Sequence, residues 1–510
     1  MKLNNTKNNI LSKSIVQYFL LTILLCVIAT YYDYFSLMCS IPTGTHIWRQ
    51  TDSASFAWTY WQNGLDFFHP QIMNRAYGNG YAVSEFPIVQ YFIAILYSIF
   101  GFHWFLSKAV YLLLYLGGIY AIFYITSTFV KDKFWSFFLA ILFFAAPGLV
   151  FYGNSCIPDV PALSFSLIGV AFYLSFKKNG RLMYLWISTI FFCLAGLMKM
   201  TYLITFVALL CTEIIACYFS AKKQQMPFRF KIKYLLPLLF LFIMMLFWWW
   251  YMKEYNNINQ QSYFLTKTNP YWNSKLDSNT KGYIFYRTYT EWADRFFHIS
   301  THILFFISIL LLPVNWFKGN KFLSVITVFL LVGSLLYYIL WYVQFLVHDY
   351  YTIPFYALYF FSILNTVLLI SKTKGFKTYL IKVILFLLLI VNVHHNKQDF
   401  KIRYDEAAMY NINRVLADHG LEKYIRTLGI SPKDYIISVP DDSPQISLCI
   451  LGNPGFTEFG VGHYSLEMIN EKKQAGAKYL ILLDKSAYKE IIEQLGKPLG
   501  AYKETVIYKL

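Results

Sequence analysis

Charged side chains are scarce along the apolar stretches of this chain, so the few at their edges mark where chemistry is possible. Asp52 opens a helical pattern (Phe56, Ala57, Tyr60, Trp61) just after Arg49. A carboxylate there either takes part in a reaction or caps the helix, because unpaired amides at a helix start favour negative charge. Glu85 stands directly before an apolar run, in Ser84-Glu85-Phe86-Pro87. An ionisable group at such a boundary is costly unless paired or functional; a solvated interfacial glutamate is the plainer alternative. Asp159 lies between two prolines in Ile157-Pro158-Asp159-Val160-Pro161, where a tight re-entry or a helix cap both fit. Lys199 is the only basic residue in a long apolar stretch. It must snorkel or meet an anionic partner. His348-Asp349-Tyr350-Tyr351-Thr352-Ile353-Pro354 reads as a polar site or as an aromatic belt with a polar tip. The ring-rich segment 253–298 adds Arg287 and Arg295, and its aromatics serve anchoring and ligand contact equally well.

The elements that position these residues must be membrane helices. Aromatic residues make up 20% of the 510, apolar residues 57% and charged residues 14%, where soluble domains carry roughly 25% charge. Mean hydropathy is +0.44. That composition excludes a soluble globule, intrinsic disorder, collagen, a coiled coil and a disulfide scaffold. Seven cysteines show no paired spacing and read mostly as small hydrophobes in apolar runs. The net charge of +17 does not point to nucleic acid. Residues 401–510 hold 14 basic and 14 acidic side chains, so the excess lies in short loops between apolar runs. That is the positive-inside pattern rather than a phosphate-tracking groove.

Apolar runs fall at about 14–32, 86–102, 104–130, 134–153, 159–176, 182–199, 200–220, 234–252, 299–317, 322–343, 351–371 and 378–393. The first is longer than a signal-peptide core and ends in aromatics, so it reads as an uncleaved transmembrane helix. Basic loops at Lys131/Lys133, Lys177/Lys178/Arg181, Lys222/Lys223/Arg229/Lys231/Lys233, Lys318/Lys321 and Lys372/Lys374/Lys377 join the N-terminal lysines on the cytoplasmic side. The neutral tail then belongs outside, which twelve crossings forbid. The run at 86–102 is short and begins at a proline, so it is expected to be re-entrant, leaving about eleven crossings. Residues 1–395 form the membrane domain and 396–510 an extracytoplasmic soluble α/β domain, with strands at 434–439, 478–483 and 504–508 and helices at 404–427, 464–475 and 486–495. Gly460-Val461-Gly462 lacks the rest of a dinucleotide fingerprint, so no nucleotide is assigned.

The order of these features resembles the C-type (GT-C) membrane glycosyltransferases, in the protein O-mannosyltransferase and aminoarabinose-transferase branch (family 39-like). The resemblance spans roughly residues 14–360. It rests on one helix followed by acidic Asp52, the boundary motif Glu85-Phe86-Pro87, the glycine-ended run at Phe100-Gly101, Asp159, Lys199 in Leu-Met-Lys-Met, and Tyr350-Tyr351 before Pro354. It departs at Asp52-Ser53, where the family has an acidic pair, and at Phe86-Pro87, where the family has two prolines. The roles of Asp52 and Glu85 are therefore interchangeable at this point.

The resemblance implies an enzyme of the cell (inner) membrane that transfers a sugar from a polyprenyl-phosphate donor, by inverting displacement, to a glycan, lipid or protein acceptor outside the cytoplasm. The acceptor needs a carboxylate base, for which Asp52 is the first candidate. The departing phosphate needs cations, led by Lys199 and helped by Arg49, Arg287 or Arg295. Asp159 and Glu85 position the acceptor or hold a divalent metal, and His348 and Tyr351 contact substrate. A transporter or flippase of a lipid-linked substrate is the competing class, expected to pair charges near the bilayer midplane. A scaffold whose tail recruits partners leaves the boundary carboxylates and Lys199 unexplained.

Overall fold

The computed structural model describes residues 2–222, 232–264, 268–273, 275–373, 375–405 and 420–510. Lys223, Arg229, Lys231 and Lys374 of the basic loops, and most of the helix expected at 404–427, lie outside the described residues.

Every expected apolar run contains helix, and the protein is a polytopic α-helical membrane protein with a small extramembrane C-terminal domain. Among the described residues, six helices are long and apolar enough to cross a bilayer: Trp104–Phe129, Asp159–Asn179, Met200–Phe219, Leu235–Ile258, Lys321–Leu340 and Phe376–Tyr404. A seventh span is added if Ser278–Phe296 and Ile299–Leu310, bent by 106°, count as one. The remaining apolar helices are shorter. Ile88–Phe100 has 13 residues. At that length it extends about 20 Å against roughly 30 Å of hydrocarbon.

Asp159–Asn179 is the central helix, packed between Trp104–Phe129 and Leu182–Met198. Its apolar window is 78% buried, against 17% for both Leu235–Ile258 and Phe376–Tyr404, whose apolar faces point outward to lipid. Small residues let the central helices close up. A Cβ on Gly118 would meet Ser164 Oγ at 2.5 Å, so only glycine permits that approach. Local signals set the ends. Asp132 accepts from Phe134 N at 3.1 Å to start Lys133–Phe144, and left-handed Gly180 ends the central helix.

The C-terminal domain is a five-stranded sheet in the order β2-β1-β3-β5-β4. β1 (Tyr435–Val439), β2 (Gly455–Phe456) and β3 (Ala477–Leu482) run parallel, whereas β5 (Thr505–Lys509) pairs antiparallel with β3, and β4 (Gly500–Tyr502) pairs antiparallel with β5 at the edge. The last apolar helix continues to Asp405, past the division expected at 395. The domain does not stand apart from the membrane bundle. Ile47, Ala54, Trp58 and Met73 of the first interhelical segment share one apolar core with Ile425, Ile436, Leu448 and Ile481. The backbones also join: Gly455 N donates to Met73 O (3.0 Å) and Arg75 N to Gly455 O (2.8 Å).

Candidate active site

The helix carrying Asp52 starts at Ile47, with His46 at its cap in the left-handed region (φ 57°). Asp52 is thus in the second turn and does not cap the helix, contrary to the simplest reading of the pattern. The same helix carries Arg49 and Ser55, and one helical turn brings Arg49 beside Asp52, Nη1 to Oδ2 3.9 Å. Arg49 Nη2 binds both oxygens of Glu85 at 2.7 Å, and Ser84 Oγ donates to Glu85 Oε2 at 2.5 Å. The boundary glutamate is therefore paired, not solvated.

Asp52 is almost fully buried. Tyr263 OH donates to its Oδ2 at 2.9 Å and Gln445 Nε2 to its Oδ1 at 2.7 Å. Burial pushes the Asp52 carboxyl up to about 6, although Arg49 and the hydrogen bonds from Gln445 and Tyr263 pull it down. At neutral pH it is ionised yet unusually basic for an aspartate. Burial also works against the Arg49 charge, but Glu85 and Asp52 hold its pKa well above the usual range.

Lys199 meets the anion it needed. Its Nζ donates to Asp159 Oδ1 at 2.7 Å, and Tyr202 OH reaches the same oxygen at 2.9 Å. Asp159 is the first residue of its helix but makes no capping bond. Its Oδ2 is buried without a hydrogen-bond partner. The Lys199 ammonium also lies 4.0 Å from the Tyr351 ring centroid and 5.1 Å from that of Tyr350, so two π faces and one carboxylate fix its position.

Arg49, Asp52, Glu85, Lys199, Tyr350 and Tyr351 line one cavity of about 370 Å³, and Asp159 does not. Met245, Trp248, Trp249 and Met252, from the lipid-facing helix Leu235–Ile258, supply an apolar side. The cavity thus joins a charged floor to a greasy wall at the end of the bundle.

Other expected site residues lie elsewhere. Arg287 bonds Glu291 (2.8 Å) and Leu346 O (2.6 Å) and lies over Trp292. Arg295 also lies over Trp292, 5.4 Å from the ring centroid. Neither lines the cavity. His348 sits behind it, stacked on Tyr351. Burial, with His46 and Lys199 nearby, pushes its pKa down to about 3, so it is neutral.

Next to His348, Asp349 anchors a buried network absent from the sequence reading. It takes His46 Nε2 at 3.0 Å, Arg403 Nη1 at 2.6 Å and the hydroxyl of Tyr152. Arg403 in turn binds Asp399 at 2.8 Å and Arg295 O at 3.0 Å. Burial alone would raise the Asp349 pKa; Arg403 and His46 hold it well below the usual carboxylate range.

The carboxylates do not gather around a shared point. Asp52 and Glu85 accept from separate N–H and O–H donors, and Asp159 takes Lys199 and Tyr202 on Oδ1 while its Oδ2 has no partner. Among the described residues, no group of three or more His, Cys, Asp or Glu is placed to hold a metal ion.

No known family model matches the sequence, and no curated protein matches it. Solved structures do. ArnT from Cupriavidus metallidurans in the apo state superposes with a TM-score of 0.60 at 10% identity, covering 96% of this chain and 97% of ArnT. The same protein bound to undecaprenyl phosphate gives 0.61 at 11% identity, with the same coverage. The chain shares the fold of that protein. The apo oligosaccharyltransferase of Archaeoglobus fulgidus also matches, with a TM-score of 0.54 at 11% identity over 91% of this chain and 69% of that one. At these identities the likeness extends to architecture and not to individual side chains.

The sequence did not reveal Gln445, Tyr263 or the Asp349–Arg403 network. Gln445 is 393 residues from Asp52 and sits in a loop with no local signal. Tyr263 is one of many rings in an aromatic-rich segment.

Proposed function

We propose that this protein transfers a sugar from a polyprenyl-phosphate donor to an acceptor on the extracytoplasmic face of the membrane. One observation carries the reading: a single cavity pairs a basic, buried Asp52 carboxylate with Lys199 and Arg49, beside an apolar wall from a lipid-facing helix. A lipid-linked donor needs such a junction, with its chain in hydrocarbon and its phosphate and sugar in the polar part. The GT-C-like fold, shared with an ArnT that was solved with undecaprenyl phosphate, supports the same donor class.

In this reaction Asp52 takes the proton of the acceptor hydroxyl as that oxygen attacks the anomeric carbon. The carbon–oxygen bond to phosphate breaks, its electron pair passes to the phosphate, and the configuration inverts. Lys199 and Arg49 face the charge that develops on the leaving group. Glu85 orients Arg49, and Asp159 holds Lys199. Tyr351 and its neighbour Tyr350 keep the ammonium in place from behind, with His348 neutral so that it adds no competing charge. Arg287 and Arg295 support the fold of their segment.

Eleven crossings, with the N-terminus cytoplasmic and the C-terminal domain outside, follow if the bent pair and the short apolar helices other than Ile88–Phe100 also cross. The acceptor is a glycan, a lipid or a protein.

The test is release of polyprenyl phosphate from a panel of polyprenyl-phosphate sugars by the purified protein in lipid, with and without Asp52→Asn. Turnover by the parent alone is expected. No turnover with any donor, together with substrate flux across proteoliposomes, would replace the proposal with transport.

A further inference from the structure

We infer that the C-terminal domain is a component of the active centre itself, with Gln445 as the residue that positions Asp52. The first line of support is geometric. Gln445 is fully buried, as are Ser55 and Met73 around it. Its Oε1 accepts from Met73 N at 3.1 Å and from Ser55 Oγ at 2.5 Å. A backbone N–H only donates, so it fixes which end of the amide is oxygen. The Nε2 end must then face Asp52 Oδ1, at 2.7 Å. Ser55 closes the arrangement: its Oγ accepts from Met73 N at 2.8 Å and gives its own proton to Gln445.

The second line of support is the way the loop carrying Gln445 is locked. Asn74 Nδ2 donates to Pro444 O at 2.7 Å and to Thr457 Oγ1 at 3.2 Å. Thr457 Oγ1 reaches back to Ser443 O at 2.8 Å. Gly455 pairs with the backbone on both sides of Asn74. The amide is thus held from the first interhelical segment and from the sheet at once. A mere tether would not need a buried side chain aimed at the one carboxylate of the cavity with a raised pKa.

Four charged or titratable groups face Asp52 besides Gln445: Arg49 on its own helix, Glu85 beyond Arg49, Tyr263, and Tyr350 across the cavity. Cys449, from the helix that follows Gln445, adds a weaker influence. Of the two neutral donors, Gln445 alone cannot ionise or rotate away. It favours the ionised carboxylate and aims the remaining lone pairs into the cavity. Removing the amide therefore raises the pH at which Asp52 becomes a base.

The experiment uses the full-length protein in lipid, as parent, Gln445→Leu and Gln445→Glu. Asp52 is followed by infrared difference titration, its band identified by its loss in Asp52→Asn. The acid limb of kcat/KM is measured in parallel. The parent is expected to titrate near 6. Gln445→Leu should move that midpoint up by about one pH unit, the scale of one hydrogen bond to a charged group. Gln445→Glu keeps the size of the side chain and covers the case in which the leucine variant does not fold. It should give two steps for the carboxylate pair, the upper one above the parental midpoint. An Asp52 midpoint unchanged in both variants overturns the inference, whatever the turnover. The kinetic arm rests on the sugar-transfer reading and separates the two claims. A spectroscopic shift in a protein whose parent turns over no donor retains the positioning role and rejects sugar transfer. An acid limb that stays at the parental pH while turnover is intact rejects the positioning role.

Discussion

Replacing Asp52 by asparagine should inactivate the protein and stabilise it in the same step. Holding a carboxyl at about 6 rather than 3.8 costs the ionised, folded protein about 3 kcal/mol at pH 7. Because the folded pKa lies above the unfolded one, the group favours folding fully below about pH 4, and that contribution is lost as pH rises through about 6. An amide carries no such penalty, and it fits the site. Its oxygen accepts from Gln445, and the Tyr263 hydroxyl rotates to accept from its nitrogen. Asp52→Asn should therefore melt a few degrees above the parent at pH 7.5, with turnover down by about 100-fold to 10,000-fold. Near pH 4.5 the two melting points should converge. Thermal unfolding in lipid nanodiscs at the two pH values, beside donor turnover at pH 7.5, measures both effects. A variant less stable than the parent at pH 7.5, or one whose advantage is the same at both pH values, would refute the assignment of a raised pKa to Asp52.

Other expectations follow from the same geometry. In the parent, kcat/KM should fall tenfold per pH unit below about 6 as Asp52 takes its proton, read from a pH–rate profile. Lys199→Met should lower turnover by about 100-fold, and adding Asp159→Asn should restore melting temperature but not activity; Arg287→Ala, outside the cavity, should leave kcat unchanged. Arg403→Met strands Asp349 and Asp399 without their shared cation, so a loss of about 3 kcal/mol or more should appear as poor recovery of folded protein, eased by Asp349→Asn. Chelation with EDTA should leave turnover intact, because the cavity sets lysine and arginine rather than clustered carboxylates toward the leaving group.

Hydropathy makes the membrane helices legible in the sequence, since each apolar run needs its backbone hydrogen-bonded internally and so becomes helix. Length is the weaker signal: runs such as 134–153 break into Lys133–Phe144 and Pro147–Tyr152 at a proline. The strands near 435, 478 and 505 show through clustered β-branched residues, whereas the two-residue β2 offers no pattern to read. For the site, ionisable residues at apolar boundaries draw attention to one place. Arg49, Asp52, Glu85, Lys199 and Tyr351 all reach one cavity because water and lipid meet there and charge is otherwise costly. Arg287 and Arg295 lie outside it, where an aromatic-rich segment offers both guanidinium groups Trp292 to stack on. Gln445 is illegible for a different reason: its role depends on a contact made across most of the chain.

That long contact also orders events during biosynthesis. At ordinary translation rates, roughly 20 to 80 s separate the emergence of Asp52 from that of Gln445. Through that interval the segment around Met73 lacks its sheet partner, and Asp52 lacks the donor that tunes it. On the sugar-transfer reading, the nascent chain threads its helices into the membrane before its proposed base is complete. Reactive capacity arrives only with the last part of the chain, so a truncated or half-inserted molecule is built without it.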